Sequence, residues 1–222
     1  MNWHGERVAV IGAGRSGRDS ALALHQQGAW VELFDRSEQL EVSEISAKGI
    51  PVHLGRDVPP DITSRGEGWT RVVVSPGVRL DHAVFEWASR FGVPVWGEIE
   101  LAYRLARAPI IAITGTNGKT TTTALTHHLL TGMGLEAHLC GNIAGSGQDK
   151  TLVQASLEAS PSAYLVAEVS SFQLVHIEEF RPHIAVLTNI GEDHLDYHGS
   201  WEAYALAKAN LFRNQTGEDW AI

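Results

Sequence analysis

The run Gly115-Thr116-Asn117-Gly118-Lys119-Thr120-Thr121 follows the apolar residues Ile110 to Ile113 and is built to hold a phosphate. Glycines let the backbone approach an anion, a lysine neutralises charge, and a threonine hydroxyl can ligate magnesium beside phosphate oxygens. The run is shorter than the usual G-x-x-x-x-G-K-[ST] loop, and Ile113 stands where that pattern has glycine. A glycine-rich turn with a solvated lysine is the bland alternative. Two further clusters bear oxygen and nitrogen ligands. Glu168 closes the apolar run Tyr164 to Ala167, and Asn189-Ile190-Gly191-Glu192-Asp193-His194 follows the run Ile184 to Leu187. A glutamate and a threonine hydroxyl suit magnesium once substrate phosphates add oxygens. Imidazole is a less usual magnesium ligand, so His194 reads equally as a surface loop residue.

Lys208 is less obvious. In the helix expected from Trp201 to Phe212 it shares a stripe with Trp201, Tyr204 and Leu211 at helical spacing. Either its stem packs while its ammonium reaches water, or burial lowers its pKa and exposes a neutral amine to chemistry.

A second glycine loop, Gly12-Ala13-Gly14-Arg15-Ser16-Gly17, lies between the strand Val8 to Ile11 and a helix carrying Ala21, Leu22 and Leu24. Gly28 is placed to end that helix in a left-handed cap. The next strand, Val31 to Phe34, finishes at Asp35. This is the context of a dinucleotide-type phosphate loop. A nicotinamide cofactor, a nucleotide-sugar and a purely structural turn all fit it.

The elements that position these residues alternate between short apolar runs and helix-period segments, the pattern of parallel sheets covered by helices. Val72 to Val74 is a strand ending at Ser75-Pro76-Gly77, and Val93 to Trp96 is another, followed by a helix near Glu98 to Arg107. A second unit starts at Ala108-Pro109, where Ile110 to Ile113 reads as a strand buried on both faces, and the helix after the phosphate loop carries Leu125, Leu129 and Leu130. Gly66-Glu67-Gly68 is a loop tip, and Asp219 to Ile222 reads as a strand just beginning, so the chain is expected to stop inside a domain. The expected class is α/β: a Rossmann-like domain over residues 1–107, then a truncated P-loop-type ATPase domain over 108–222.

The net charge of -9 and the lack of a dense Lys/Arg run argue against a nucleic-acid partner. The single cysteine, Cys140, precludes a disulfide within the chain and fits a reducing compartment. No signal-peptide pattern opens the sequence, and no apolar run reaches membrane-helix length. A cytoplasmic protein without membrane contact is expected.

Taken together, the phosphate loop, Glu168-Val169-Ser170-Ser171-Phe172-Gln173-Leu174, Asn189 to Asp196 and Ala207-Lys208-Ala209 resemble the Mur ligase family. The Ser-Ser-Phe-Gln-Leu run is similar to the branch that adds D-glutamate to UDP-N-acetylmuramoyl-L-alanine. The resemblance implies an enzyme that phosphorylates the substrate carboxylate with ATP and then forms an amide with the amine of D-glutamate. It implies catalytic roles for Lys119, His194 and Lys208, and ATP contacts from Gly115 to Thr121. Two magnesium ions are implied, one held by Thr120 and Glu168, the other by His194 and a carbamylated Lys208. Gly14, Arg15, Ser16, Asp35, Arg36 and Gly77 would surround uridine diphosphate, with Asn142, Ser170 and Gln173 at the muramoyl end. Three alternatives stay open: a nicotinamide-dependent oxidoreductase, a catalytically silent nucleotide-binding fragment, and the L-alanine-adding branch of the same family.

Overall fold

The protein is described by a computed structural model over residues 2–61, 68–143 and 150–222. It divides into two compact units, Met1–Leu101 and Ala102–Ile222. The division falls ahead of the boundary expected after residue 107. Of the loop tip expected at residues 66–68, Gly66 and Glu67 lie outside the described residues.

The first unit contains β1 (Arg7–Ile11), α1 (Arg15–Gln26), β2 (Trp30–Asp35), α2 (Ser43–Ala47), β3 (Val52–Leu54), β4 (Arg71–Val74), α3 (Ala83–Phe91) and β5 (Val95–Gly97), with α4 (Glu98–Leu105) leading out of it. The strands pair in parallel in the order β3-β2-β1-β4-β5. Connections from β1 and β4 leave in opposite directions, so their carboxyl ends flank the crevice where open α/β sheets bind ligands. One face is packed by Ala9, Ile11, Phe34, Val72 and Val74 against Val84, Trp87 and Trp69. Gly28 has φ +91° and closes α1 as expected. Pairing of β5 starts later than the expected Val93, because Pro94 has no N–H to donate. Its carbonyl still accepts from Val72 N at 3.0 Å. Helix α4 ends at Leu105, short of the expected Arg107, as the approach to Pro109 disfavours helical backbone.

The second unit contains β6 (Ile110–Thr114), α5 (Lys119–Gly132), β7 (Ala137–Gly141), α6 (Leu152–Glu158), β8 (Tyr164–Glu168), β9 (Ile184–Leu187), α7 (Leu195–His198), α8 (Trp201–Ala209), a 3-10 turn at Asn210–Phe212 and β10 (Trp220–Ala221). Its sheet is also parallel, in the order β10-β9-β6-β8-β7. Every residue of β6 is buried, as its apolar run requires. On α5 the leucines do not face the sheet as a group: Leu125 and Leu129 are 54% and 57% exposed, while the small Thr123 is the buried residue that lets the helix sit close. Among the described residues no helix is long and apolar enough to cross a membrane.

The glycines of the first loop carry different constraints. Gly12 has φ +94°, and a Cβ on Gly17 would lie 1.7 Å from the Gly12 carbonyl oxygen. Gly14 has φ -68°, and a Cβ there would meet nothing within 4 Å, so its space is open. Gly17→Ala is therefore expected to lose about 3 kcal/mol or more, since the clash is with backbone, and Gly14→Ala to change stability by no more than ~1 kcal/mol. Urea unfolding followed by tryptophan fluorescence checks both; five of the seven tryptophans, Trp3, Trp30, Trp69, Trp87 and Trp96, report on this unit.

Candidate active site

In the first unit the glycine loop is braced from neighbouring strand ends. Asp35 accepts from Ala13 N at 2.6 Å through one carboxylate oxygen and from Ser37 N at 2.8 Å through the other. Ser75 Oγ donates to the Gly12 carbonyl at 3.1 Å. Gly14, Arg15, Arg36 and Gly77 are exposed, and Ser16 is half-buried. A cavity of about 490 Å³, lined in part by Arg7, His25 and Trp30, opens at the opposite, amino-terminal edge of this sheet. The glycine loop does not line it.

In the second unit the carboxyl ends of β6, β8 and β9 bring together most of the expected site. Gly115 has φ +147°, and a Cβ there would lie 2.0 Å from Thr188 Oγ1, so only glycine lets the loop pass β9. Thr188 Oγ1 and Asn189 Nδ2 both donate to the Asn117 carbonyl, at 2.7 and 2.9 Å. Asn189 Oδ1 accepts from Asn117 N at 3.0 Å. Gly118, with φ +82°, caps α5, whose first amides have no intrahelical acceptor and point out at the loop. Thr121, like Thr120, is exposed on that first turn.

Lys119 Nζ donates to the carbonyls of Gly115 and Thr116 at 2.9 Å each. Thr120 Oγ1 donates to Glu168 Oε2 at 2.7 Å, although these residues are far apart in sequence. Glu168 is 4% exposed at the end of β8. Two oxygens that close, beside a loop that would add phosphate oxygens, fit the donor set of a magnesium ion. Among the described residues no group of three or more His, Cys, Asp and Glu is arranged to hold a metal.

Lys208 is 2% exposed and donates to the Gly115 carbonyl at 2.9 Å and to Thr114 Oγ1 at 3.4 Å. The burial that one of the two sequence readings expects is present, and the ammonium does not reach water. Burial first, then the nearby Lys119, pushes its pKa down to about 8, with Asp193 pulling partly against them. Tyr204 and Leu211 share its buried stripe, but Trp201 is 41% exposed. Trp201 is the first residue of α8, directly after the Ser200 cap, and so lies beyond the packed surface.

His194 is exposed, has φ 51°, and is the one non-glycine residue with positive φ among those described. Its ring lies 4.7 Å from Phe172 and 6.4 Å from Tyr204. Backbone strain of this kind collects at functional sites. Ser170 and Gln173 are buried and bonded to each other, Gln173 Oε1 accepting from Ser170 N at 2.8 Å and from Ser170 Oγ at 3.0 Å. Asn142 is exposed beside β8, its N–H donating to the Glu168 carbonyl at 2.8 Å.

Two residues are missed by sequence reasoning. His198 bonds Ser171 Oγ through Nε2 at 3.0 Å and stacks on Phe172 at 5.6 Å. Tyr204, which the sequence shows only as part of a stripe, lies with its hydroxyl 2.9 Å from Thr116 Oγ1 in the loop. Helical spacing brings Tyr204 to the right face, but no local signal points to its partner.

The family model described as Mur ligase middle domain matches residues 113–222, which include all of these second-unit residues from the loop to Lys208. This chain belongs to the Mur ligase family. It is 43% identical over 219 residues to the UDP-N-acetylmuramoylalanine--D-glutamate ligase of Geobacillus kaustophilus, covering 97% of this chain and 47% of that protein. The Lactococcus lactis protein of the same name is 42% identical over 220 residues, covering 98% of this chain and 47% of its own length. The chain thus spans about half the length of these curated Mur ligases. Among solved structures, the Neisseria UDP-N-acetylmuramate:L-alanyl-gamma-D-glutamyl-meso-diaminopimelate ligase superposes with a TM-score of 0.59 at 19% identity, over 97% of this chain and 70% of that one. That likeness speaks for the fold.

The depressed pKa of Lys208 has a sign that can be measured. Between about 8 and its unperturbed 10.5 the unfolded chain binds the proton that the folded chain has lost, so stability rises with pH across this window. Below about 8 the buried ammonium costs up to ~3 kcal/mol relative to the neutral amine. Urea unfolding in carbonate-free buffer should show this rise, and Lys208→Met should flatten it.

Proposed function

We propose that this chain supplies the UDP-substrate-binding and ATP-binding units of an amide ligase that adds D-glutamate to UDP-N-acetylmuramoyl-L-alanine. The observation that carries the reading is the phosphate loop with Lys119 at its mouth and Thr120 bonded to Glu168. The ~40% identity to proteins named for that reaction supports it. A nicotinamide oxidoreductase would leave this constellation without a task.

In the proposed reaction a substrate carboxylate oxygen attacks the γ-phosphorus of ATP, and the bond from that phosphorus to ADP breaks. The amine of D-glutamate then attacks the acyl carbon, loses a proton, and the tetrahedral intermediate expels phosphate to leave the amide. Lys119 would leave its two carbonyl acceptors for the transferring phosphoryl oxygens, where a preorganised cation is most effective. Magnesium, when bound, would supply further positive charge there, with Thr120 and Glu168 holding one ion and His194 and a carbamylated Lys208 a second. The lowered pKa of Lys208 favours the neutral amine that can add carbon dioxide and release a proton. In this reading Gly14, Arg15, Ser16, Asp35, Arg36 and Gly77 serve the uridine diphosphate, and Asn142, Ser170 and Gln173 the muramoyl end. The place of the reaction is the cytoplasm.

Calorimetry on this chain should show UDP-N-acetylmuramoyl-L-alanine binding and no comparable binding of NAD. Tighter binding of NAD would refute the assignment of the first unit.

In a full-length enzyme carrying this sequence, Lys208→Ala should cut amide formation by ~100-fold or more, the scale for loss of a group that organises transition-state charge. Added acetate should restore part of it, and Lys208→Arg should not substitute, since guanidinium keeps its charge and cannot carbamylate. A fully active arginine variant would end the carbamate role.

A further inference from the structure

We propose that Tyr204 is a positioning residue whose phenolic O–H locks the phosphate loop through Thr116. A threonine hydroxyl has one proton and two lone pairs. Gly191 N donates into one lone pair of Thr116 Oγ1 at 2.9 Å, and the hydroxyl's own proton has the Gly191 carbonyl as acceptor at 3.3 Å. The Tyr204 hydroxyl lies 2.9 Å from the same oxygen, and either hydroxyl can be the donor of that bond. In both cases the hydroxyl proton of Thr116 is engaged inside the protein. Its backbone N–H is used as well, donating to the Asn189 carbonyl at 3.1 Å. Thr116 therefore holds the loop in shape, and phosphate is left to Lys119 and the first amides of α5.

Tyr204 is suited to that work because it is 1% exposed and touches three parts of the site at once. Its hydroxyl meets the loop, its ring centroid lies 4.8 Å from Lys208 Nζ, and the same ring lies 6.4 Å from that of His194. Thr116 and Tyr204 are 88 positions apart, so this bond, beside that of Lys208 to the Gly115 carbonyl, ties α8 to the turn after β6. Loss of the hydroxyl leaves the ring contacts in place and frees only the loop.

The test is amide hydrogen exchange on the ligand-free chain, wild type against Tyr204→Phe, Thr116→Val, Thr116→Ser and the Tyr204→Phe/Thr116→Val pair. In Tyr204→Phe, exchange at Thr116, Asn117 and Gly191 should rise by up to ~10-fold, the scale of one hydrogen bond. Exchange at Ala112 in β6 and Val166 in β8 should not change. Thr116→Ser should keep the protection, and Tyr204→Phe should add nothing in the Thr116→Val background. Unchanged loop amides, a rise shared equally by the sheet, or full additivity in the pair would each overturn the proposal. If Tyr204→Phe does not fold, the contrast between Thr116→Val and Thr116→Ser at Gly191 gives the same decision. The consequence for ligand rests on the function proposed above: Tyr204→Phe should bind magnesium-ATP roughly tenfold more weakly by calorimetry. A wild-type chain that ignores ATP would refute that function, while the exchange result would still decide the role of Tyr204.

Discussion

Two lysines donate to one oxygen. Lys119 and Lys208 both place Nζ 2.9 Å from the Gly115 carbonyl, and the rest of the second unit's site is arranged around that shared acceptor. The carbonyl can stand there because Gly115 passes so close to Thr188 that any side chain would collide. A peptide oxygen carries only a partial negative charge, so it offsets only part of the repulsion between two cations that share it. That repulsion adds to burial in lowering the Lys208 pKa. It also leaves Lys119, the half-buried partner, as the one with a better acceptor to gain when a phosphate arrives.

The two units solve the same local problem by similar means. In each, a strand runs into a glycine turn and then a helix, and side chains from the ends of neighbouring strands hold the turn. Asp35 and Ser75 do this for the loop after β1, and Thr188 and Asn189 for the loop after β6. The braces differ in what they leave free. Both oxygens of Asp35 already accept backbone N–H groups, so it shapes its loop whatever further contact it makes. In the second unit the side chains of Thr120 and Glu168 are bonded to each other and not to the loop's backbone.

Much of this is legible in the sequence, and for identifiable reasons. A fully buried parallel strand such as β6 reads as an unbroken apolar run, and the glycine turns announce themselves because Gly12, Gly115 and Gly118 have positive φ, which side chains resist. Spacing from Tyr204 and Leu211 places Lys208 correctly but fails for Trp201, since periodicity says nothing of where a packed surface ends. Two of the α5 leucines mislead for a related reason: apolar type does not guarantee burial, and Leu125 and Leu129 are exposed while Leu130 packs on the sheet and Thr123 is buried. Short elements with mixed composition, such as β7 and α7, carry too little pattern to be seen. Long-range side-chain pairs such as Thr116 with Tyr204 and Ser171 with His198 leave no mark in either segment alone.

The braces on the phosphate loop also govern when that loop can exist during folding. Asn117 is pinned by Asn189, 72 positions on, and Thr114 is reached by Lys208, 94 positions on. Such contacts have high contact order, and their loop-closure entropy must be met before they contribute. A glycine-rich turn left to itself would sample many shapes, so the loop's observed shape is a product of the folded second unit and not of the local run. On the function proposed above, nucleotide would bind the folded state alone, and each tenfold excess over its dissociation constant would add about 1.4 kcal/mol to the stability of the whole unit.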